Sequence, residues 1–303
     1  MTLTGPIKEF WSFWREIQKK SMRPADVALV ATPGPVRDQW QKALRYGSAY
    51  PERLAVIDLD RLEPVHADVA LVVLDGSGSI PAGSFPALAG FDRKRLAALV
   101  IEPVAPPPRK DDGTARALDD PLFRRHLATA LDLSPEQLLG AASPQDGAAE
   151  LCGHLTEQLH EFLIPLARQF PLFRAAAAWD EINATAKQNA LVGLLPLPGS
   201  DMPIMTANQI KMVLRLAAMH DLALTGDRAK ELMGVVVGGF GLRTAARQLI
   251  KLVPGPGWAI AGGIGYSGTV AMGKAALEYF KRTASPHIRT GVVAAGQAGT
   301  VES

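Results

Sequence analysis

Residues 29–40 read LVATPGPVRDQW, and this stretch decides how the N-terminal part of the chain is interpreted. The apolar run DVALV (26–30) leads into it, and the helix-like segment QWQKALR (39–45) follows. A short apolar strand, a Pro/Gly loop and a helix form the frame in which a P-loop holds phosphate. The stretch is therefore compatible with a nucleotide site, with the remnant of one, or with an ordinary strand-to-helix turn.

The residues of this loop do not have the chemistry of a working P-loop, GxxxxGK[ST]. At that spacing Ala31 and Val36 stand in the places of the two glycines. Arg37 replaces the lysine, and Asp38 replaces the hydroxyl residue that binds magnesium. The β-branched Val36 disfavours the backbone conformations that the loop needs, and the Asp38 carboxylate would repel phosphate. Because arginine can pair with phosphate, Arg37 and Asp38 are candidates for a degenerate nucleotide contact.

Three later segments continue the pattern of a GTPase. LAVIDLDR (54–61) carries Asp58 where a GTPase has the aspartate of its DxxG motif, but Arg61 stands in the glycine position. ADVALVVLDGS (67–77) resembles the next strand. LAALVIEPVAP (96–106) lacks the Asn and Lys of the guanine-reading NKxD motif. The order and spacing resemble a shortened GTPase domain whose GTP-binding elements have been replaced, although any α/β unit gives strand, loop and helix at such spacing. Asp58 is therefore a third candidate for a degenerate nucleotide contact, with Arg37 and Asp38.

Composition excludes several classes of function. The chain has 303 residues, is 48% hydrophobic and 20% charged, and has a net charge of +2, which is too weak to indicate nucleic-acid binding. Its one cysteine, Cys152, excludes an intramolecular disulfide and a zinc finger. The N-terminus carries Lys8 and Glu9 within its apolar part, unlike a secretory signal. We therefore expect a protein of the cytoplasm or of the cytoplasmic side of a membrane.

The periodicity of apolar residues changes along the chain and predicts an α+β protein. A small α/β domain with a parallel, P-loop-GTPase-like sheet is followed by an all-α domain. The predicted segments are an amphipathic helix (1–22), the α/β domain (23–105), a linker (106–120), the helical domain (121–285) and a flexible tail (286–303). In the helical domain, helices are predicted near 121–131, 134–142, 147–169, 171–193, 203–220, 226–234, 239–252 and 257–283.

The helical half resembles a bacterial family. The segments that carry the resemblance are ARQFPLFR (167–174), INATAKQNALVGLLPLPGSDMPIMTANQIKMVLRLAA (182–218), GGFGLRTAARQLIKLVPGPGW (238–258) and GYSGTVAMGKAALEYF (265–280). Together they resemble the YcjF-like, GTPase-associated domain, which often follows a GTPase domain on the same chain. The resemblance implies a helical domain that is frequently membrane-associated and has no established catalytic activity. GTP switching within this chain does not follow from it, because the GTPase signature is missing.

Small residues recur every four positions in the last predicted helix, and such a stripe allows another helix to approach closely. They are Gly257, Ala261, Gly265, Thr269 and Gly273. The uncharged run 252–273 begins LVPGPG, so its helical part is nearer to about 18 residues, which at about 1.5 Å per residue is just short of the thickness of a hydrocarbon core. A packed core helix, a helical hairpin seated in a membrane and a membrane span all remain open for this segment.

Two further features concern helix ends and the membrane. The run 188–210 is interrupted by PLPGSDMP (196–203), which predicts two helices, the second capped by Asp201. In the N-terminal helix, Phe10, Trp11 and Trp14 suit a bilayer interface and lie beside basic residues. The alternative is that this aromatic face packs on the protein's own helices.

These observations predict a non-enzymatic interaction module that is membrane-associated or membrane-proximal, either peripheral or with apolar helical hairpins. We expect no catalytic residues, cofactor, metal site or nucleic-acid partner. A protein partner is expected, with a GTPase among the candidates, and a membrane surface or lipid is a further candidate. The alternative function is a divergent GTP-binding switch with weak nucleotide affinity, in which Arg37 replaces the P-loop lysine.

Overall fold

The computed structural model describes residues 4–21, 23–76, 85–101, 118, 120–158, 160–194, 201–220 and 257–283. The chain divides into two compact units, one of Pro24–Ala177 and one that combines Met1–Arg23 with Ala178–Ser303. The main elements described are α1 (Thr4–Ser21), β1 (Val27–Ala31), α2 (Pro35–Arg45), β2 (Leu54–Asp58), β3 (Val69–Asp75), β4 (Leu96–Ile101), α3 (Pro121–Leu131), β5 (Leu138–Ala141), α4 (Pro144–Gln158), α5 (His160–Gln169), α6 (Pro171–Leu194), α7 (Asp201–Met219) and α8 (Gly257–Thr283).

The first unit, which we call the α/β unit, is built on a five-stranded parallel sheet in the order β2-β1-β3-β4-β5. β1 and β4 are buried along their whole length, and β3 is buried except at its last residue, as expected for parallel strands covered on both faces. This is why their sequences are continuous apolar runs. The sheet confirms the predicted α/β unit with a parallel sheet.

Helices cover the two faces of the sheet. On one face, Leu127 and Leu131 of α3 belong to a buried cluster with residues of the strands. On the other, Trp40 of α2 is fully buried. Gly147 of α4 lies so close that a Cβ atom there would be 2.7 Å from the Trp40 ring and 2.5 Å from Leu99 Cδ2. Only a glycine therefore allows α4 to pack against β4 and α2 at this distance.

The predicted helix over 134–142 is wrong, because Leu138–Ala141 form β5 beside β4. Leucine and alanine favour a helix locally, but the edge of β4 offers hydrogen-bond partners that lie far away in the sequence. The α/β unit accordingly extends to Ala177 rather than ending at 105. The predicted helices at 226–234 and 239–252 and the tail at 286–303 lie outside the described residues.

The second unit, which we call the helical unit, contains α1, the end of α6, α7 and α8 within the described residues. α6 and α7 are separate helices, as predicted, and the segment 195–200 between them, where the prolines predict a turn, lies outside the described residues. Consecutive residues of α7 are buried on all sides of the helix: Met212, Val213, Leu214, Leu216, Ala217, Ala218 and Met219. A helix that is apolar all round must be covered on every face, and α1, α6 and α8 provide that cover. α7 begins at Asp201, whose side chain is outside the description, so its capping role stays a prediction.

The aromatic face of α1 packs inside this unit along α7. Phe10 and Trp14 are 1% and 4% exposed, and their rings stack with centroids 5.9 Å apart. Trp11 is 36% exposed. Phe10 and Trp14 therefore belong to the protein core in this fold and do not face a bilayer, and only Trp11 remains at the surface among these three membrane candidates.

The small stripe of α8 lies against α6 and α7. A Cβ at Gly265 would be 2.7 Å from the Asn189 carbonyl oxygen and 2.7 Å from Met205 Cε. A Cβ at Gly273 would be 2.5 Å from Ile182, and Thr269 is fully buried. Gly257 and Ala261 also lie in α8, but their surroundings are outside the described side chains.

We expect Gly265→Ala to destabilise the helical unit by about 1–3 kcal/mol, because the added methyl meets backbone and a packed side chain. Gly263→Ala is the matched control in the same helix, since no described atom lies within 4 Å of a Cβ built there. That exposed substitution should stabilise the helix by about 0.5–1 kcal/mol. Urea denaturation of both variants measures the difference, and equal midpoints would contradict close packing at Gly265.

Candidate functional site

The loop between β1 and α2 lies at the topological switch point of the sheet. β1 pairs with β2 on one side and with β3 on the other, because the chain passes from β1 to β2 and then crosses back to β3 on the opposite side of β1. Open α/β sheets bind their ligands in the crevice outside the carboxyl ends of the strands at such a point. The loop that the sequence compares with a P-loop is thus placed where this fold would bind a ligand.

Arg37 lies in the first turn of α2 and is held by carboxylates. Its Nη1 donates a hydrogen bond to Asp58 Oδ1 over 2.7 Å, and its Nε lies 3.5 Å from Asp38 Oδ1. Asp58 ends β2, directly beside Ala31 at the end of β1. The Arg37 side chain is 22% exposed and that of Asp58 is 50% exposed. The structure therefore brings together the three degenerate candidates that the sequence identifies.

The electrostatics of this edge oppose an anion. Asp38 and Asp60 are exposed, and Asp75 ends β3 at the same edge of the sheet. Arg61, in the glycine position of the DxxG comparison, pairs with Glu63 instead of facing a ligand. Among the residues described at this edge, a phosphate would meet one arginine that is already paired and several carboxylates that repel it. In the described part of the chain, no cluster of His, Cys, Asp or Glu is arranged to hold a metal ion.

A similar ion pair lies at the opposite edge of the sheet. Arg53 lies just before β2, and Asp26 lies just before β1. Arg53 Nη1 donates a hydrogen bond to Asp26 Oδ1 over 2.8 Å. Asp68 accepts a hydrogen bond from the Asp26 backbone N–H over 2.9 Å. Because this pair joins the amino ends of the same two strands, it provides a matched comparison for the Arg37–Asp58 pair.

The helical unit contains a buried polar centre that joins three helices. Thr269 Oγ1 accepts hydrogen bonds from Asn189 Nδ2 and Gln209 Nε2, each over 2.9 Å, and donates to the Gly265 carbonyl oxygen over 2.7 Å. Asn208 Nδ2 donates to Asn189 Oδ1 over 2.9 Å. Asn189 and Thr269 are fully buried, so the three bonds of Thr269 form away from water, while the bond from Asn208 is partly buried.

Asn208 and Gln209 lie along an apolar helix in the sequence, so interhelical hydrogen bonds are the use expected for them. No such expectation followed for Asn189, and Thr269 was identified only as a small residue. The signal for Asn189 was its position on the buried stripe of α6. It lies three residues after Ala186 and seven after Ile182, both fully buried. A polar residue at that spacing has to find its partners on a neighbouring helix.

A buried ion pair joins α6 to α7 in the same unit. Arg215 Nη1 lies 3.2 Å from Glu181 Oε2 and 3.3 Å from Oε1, and the side chains are 11% and 7% exposed. Burial raises the pKa of Glu181, and the positive charges of Arg215 and Lys211 offset part of that rise. The carboxylate therefore depends on Arg215 for its charge to be tolerated in the core.

Comparison of the chain with protein-family models, with curated proteins and with solved structures finds no match. The resemblances to a YcjF-like domain and to a degenerate GTPase therefore rest on the quoted motifs alone. Among the helices that the structure describes, none has both the length and the hydropathy needed to cross a bilayer.

We expect Arg215→Met to destabilise the helical unit by about 3–5 kcal/mol at pH 7, because it leaves the Glu181 carboxylate buried without its partner. The folded-state pKa of Glu181 is raised, so its contribution to stability is present in acid and is lost as the pH rises through that pKa. The deficit of the variant should therefore shrink as the pH falls towards the ordinary glutamate range.

Chemical denaturation at several pH values measures this deficit. The double variant Glu181→Gln/Arg215→Met is the control, since it contains no buried carboxylate at this place and should lose the pH dependence. A deficit in Arg215→Met that is the same at every pH would show that the charge of Glu181 is not the cause.

Proposed function

We propose that the chain is a non-enzymatic interaction module whose α/β unit has the frame of a nucleotide-binding fold without the means to bind or hydrolyse nucleotide. The observation that carries the proposal is the ion pair at the switch point. Arg37, the residue in the position of the P-loop lysine, has its guanidinium 2.7 Å from the Asp58 carboxylate. Where a nucleotide-binding protein presents a free positive charge to phosphate, this chain presents a charge neutralised by its own aspartate.

The sequence of the loop supports the same proposal. Val36 and Asp38 stand where a P-loop has its second glycine and its magnesium-binding hydroxyl. Pro33 and Pro35 have no N–H to offer to a phosphate. We propose in addition that the α/β unit diverged from a GTPase domain, because the degenerate motifs follow one another in the order that they have in GTPases.

A fold that loses its ligand chemistry leaves its surface available for contact with another macromolecule. The motifs of the helical half resemble domains that accompany GTPases, so a GTPase on a separate chain is the partner that we favour. The alternative, a divergent GTP-binding switch, requires Arg37 to release Asp58 and turn to a phosphate. The same experiment separates these two functions.

We expect millimolar GTP, ATP or inorganic phosphate to leave the thermal midpoint of the wild-type chain unchanged, and we expect no hydrolysis. A ligand at 100 times its Kd would stabilise the fold by about 2.7 kcal/mol, so 1 mM ligand would clearly reveal a Kd of about 10 μM. A nucleotide-dependent shift or turnover that disappears in Arg37→Ala would establish the switch function and contradict the proposal.

The variant Asp58→Asn tests the physical reason for this result. It removes the carboxylate that neutralises Arg37, so weak binding of inorganic phosphate should appear. Asp26→Asn is the matched control, because Asp26 pairs with Arg53 over a similar distance, 2.8 Å, at the other edge of the sheet. Phosphate binding to both variants, or to neither, would show that the Arg37–Asp58 pair is not what excludes the anion.

A membrane-proximal location is a second candidate, and one observation favours it. Leu191 and Leu194 at the end of α6 are 64% and 39% exposed, and Ile204 near the start of α7 is 42% exposed. The connecting sequence LPLPGS (195–200) carries no charge. Exposed apolar residues at the tip of a hairpin suit the interface of a lipid bilayer, to which the helical unit would bind peripherally.

We expect the full-length chain to co-float with anionic phospholipid vesicles and Leu191→Ser to reduce the bound fraction several-fold. Leu62→Ser is the control, because Leu62 is 83% exposed and belongs to the α/β unit and not to the hairpin. Flotation that is absent for the wild type, or lost equally in both variants, would contradict the membrane-proximal location and leave the nucleotide result unaffected.

A further inference from the structure

α1 and α7 are in contact although they are far apart in the sequence, unlike α6 and α7, which follow each other closely. α1 ends at Ser21, and the rest of its unit begins at Ala178. The intervening Pro24–Ala177 form a compact unit of their own. No short loop therefore enforces the contact, and what holds α1 in place is the match between the two surfaces.

That match has the form of a helix with regularly spaced anchors bound along another helix. Phe10, Trp14 and Ile17 follow the spacing i, i+4 and i+7 and are 1%, 4% and 5% exposed. Beside them, Lys211 Nζ of α7 lies 5.8 Å from the centroid of the Phe13 ring. The opposite side of α1, with Ser12, Arg15 and Glu16, is exposed. One face of α1 thus makes the contact, while the other is compatible with water.

The surface that α1 covers cannot remain open. Leu214 and Ala218 follow Lys211 at helical spacing on α7, and both are fully buried. If α1 leaves, this stripe of an otherwise enclosed helix is exposed, and another amphipathic helix has to replace it. The helix whose fit to the stripe is established is α1 itself, so a second copy of the chain carries a suitable replacement.

We infer that α1 is an exchangeable arm, and that the face of α7 beneath it binds α1 of a second copy to give a reciprocal, two-fold dimer. The connection from α1 to β1 is the five-residue stretch MRPAD (22–26), in which the described residues 23–26 are neither helix nor strand, so the exchange needs no regular element to unfold there. Exchange of one element between identical chains repeats the same contacts and needs no new interface. The inference rests on the proposed interaction role and names the surface and the partner, and its test involves no nucleotide.

Cross-linking between full-length single-cysteine variants tests the exchange. Phe13→Cys and Lys211→Cys are mixed at high concentration and treated with a short bismaleimide reagent. The native Cys152 is buried and does not compete. A covalent dimer of one Phe13→Cys chain with one Lys211→Cys chain is expected, in a yield that rises with concentration. Ser12→Cys is the control, because Ser12 is the adjacent exposed residue, and its mixture with Lys211→Cys should give several-fold less dimer.

The doubly substituted chain, Phe13→Cys/Lys211→Cys, shows whether the two positions are within reach of the reagent. If it cross-links only within one chain, and the mixed single variants stay monomeric at every concentration, the exchange is overturned. If it does not cross-link at all, the docking of α1 on α7 is wrong and the inference fails with it.

Hydrogen exchange of the unmodified chain tests the inference without any substitution. Release of α1 predicts that its amides exchange through an opening that leaves α6 and α7 protected. Amides of α1 that exchange only together with those of α7 would show that α1 is a fixed part of the core, which contradicts an exchangeable arm.

Discussion

A parallel sheet has to be covered on both faces, and this requirement determines where the α/β unit ends and which of its edges is open to chemistry. The fully buried stretches of β1, β3 and β4 need helices above and below them. Those helices include α3 and α4, which follow the sheet's first four strands in the chain. The faces are thereby closed, and the edge formed by the strand ends is left as the place where polar side chains meet.

Two ion pairs of the molecule, Arg37–Asp58 and Glu181–Arg215, differ in how deeply they are buried. At the strand ends, Arg37 and Asp58 remain partly in water, where such a pair contributes little to stability and mainly fixes which charge the surface presents. In the helical unit, Glu181 and Arg215 are almost enclosed, and each is tolerated only because the other is there. The first pair therefore sets the charge at the strand ends, and the second holds α6 and α7 together.

Local patterns were sufficient to predict the four strands of continuous apolar residues and the helices α3, α6, α7 and α8. They failed for β5, whose residues LLGA favour a helix until the edge of β4 is available. They also failed to place α1, because nothing in residues 4–21 reveals that their partner lies at 201–219. Both failures concern contacts between distant parts of the chain.

For the candidate site, the sequence predicted the residues involved but not the contacts between them. Arg37 and Asp38 were identified by the comparison with a P-loop, in which each replaces a residue of known chemistry, and Asp58 by the comparison with the DxxG motif, whose aspartate it matches. That Asp58 binds Arg37 could not be read from the sequence, because it depends on β2 lying beside β1 in register. Asn189 was missed for a related reason, since its role appears only when α8 brings Thr269 to it.

The distance in sequence between α1 and α7 has a consequence for biosynthesis. α7 begins about 180 residues after α1 ends. At about 5–20 residues per second, roughly 10–40 s pass between the emergence of the two helices from the ribosome. During that interval the α/β unit is completed, while Phe10, Trp14 and Ile17 have no α7 on which to dock. The apolar face of α1 therefore waits for seconds before the helix that covers it has been made, so α1 is among the last elements of its unit to be buried.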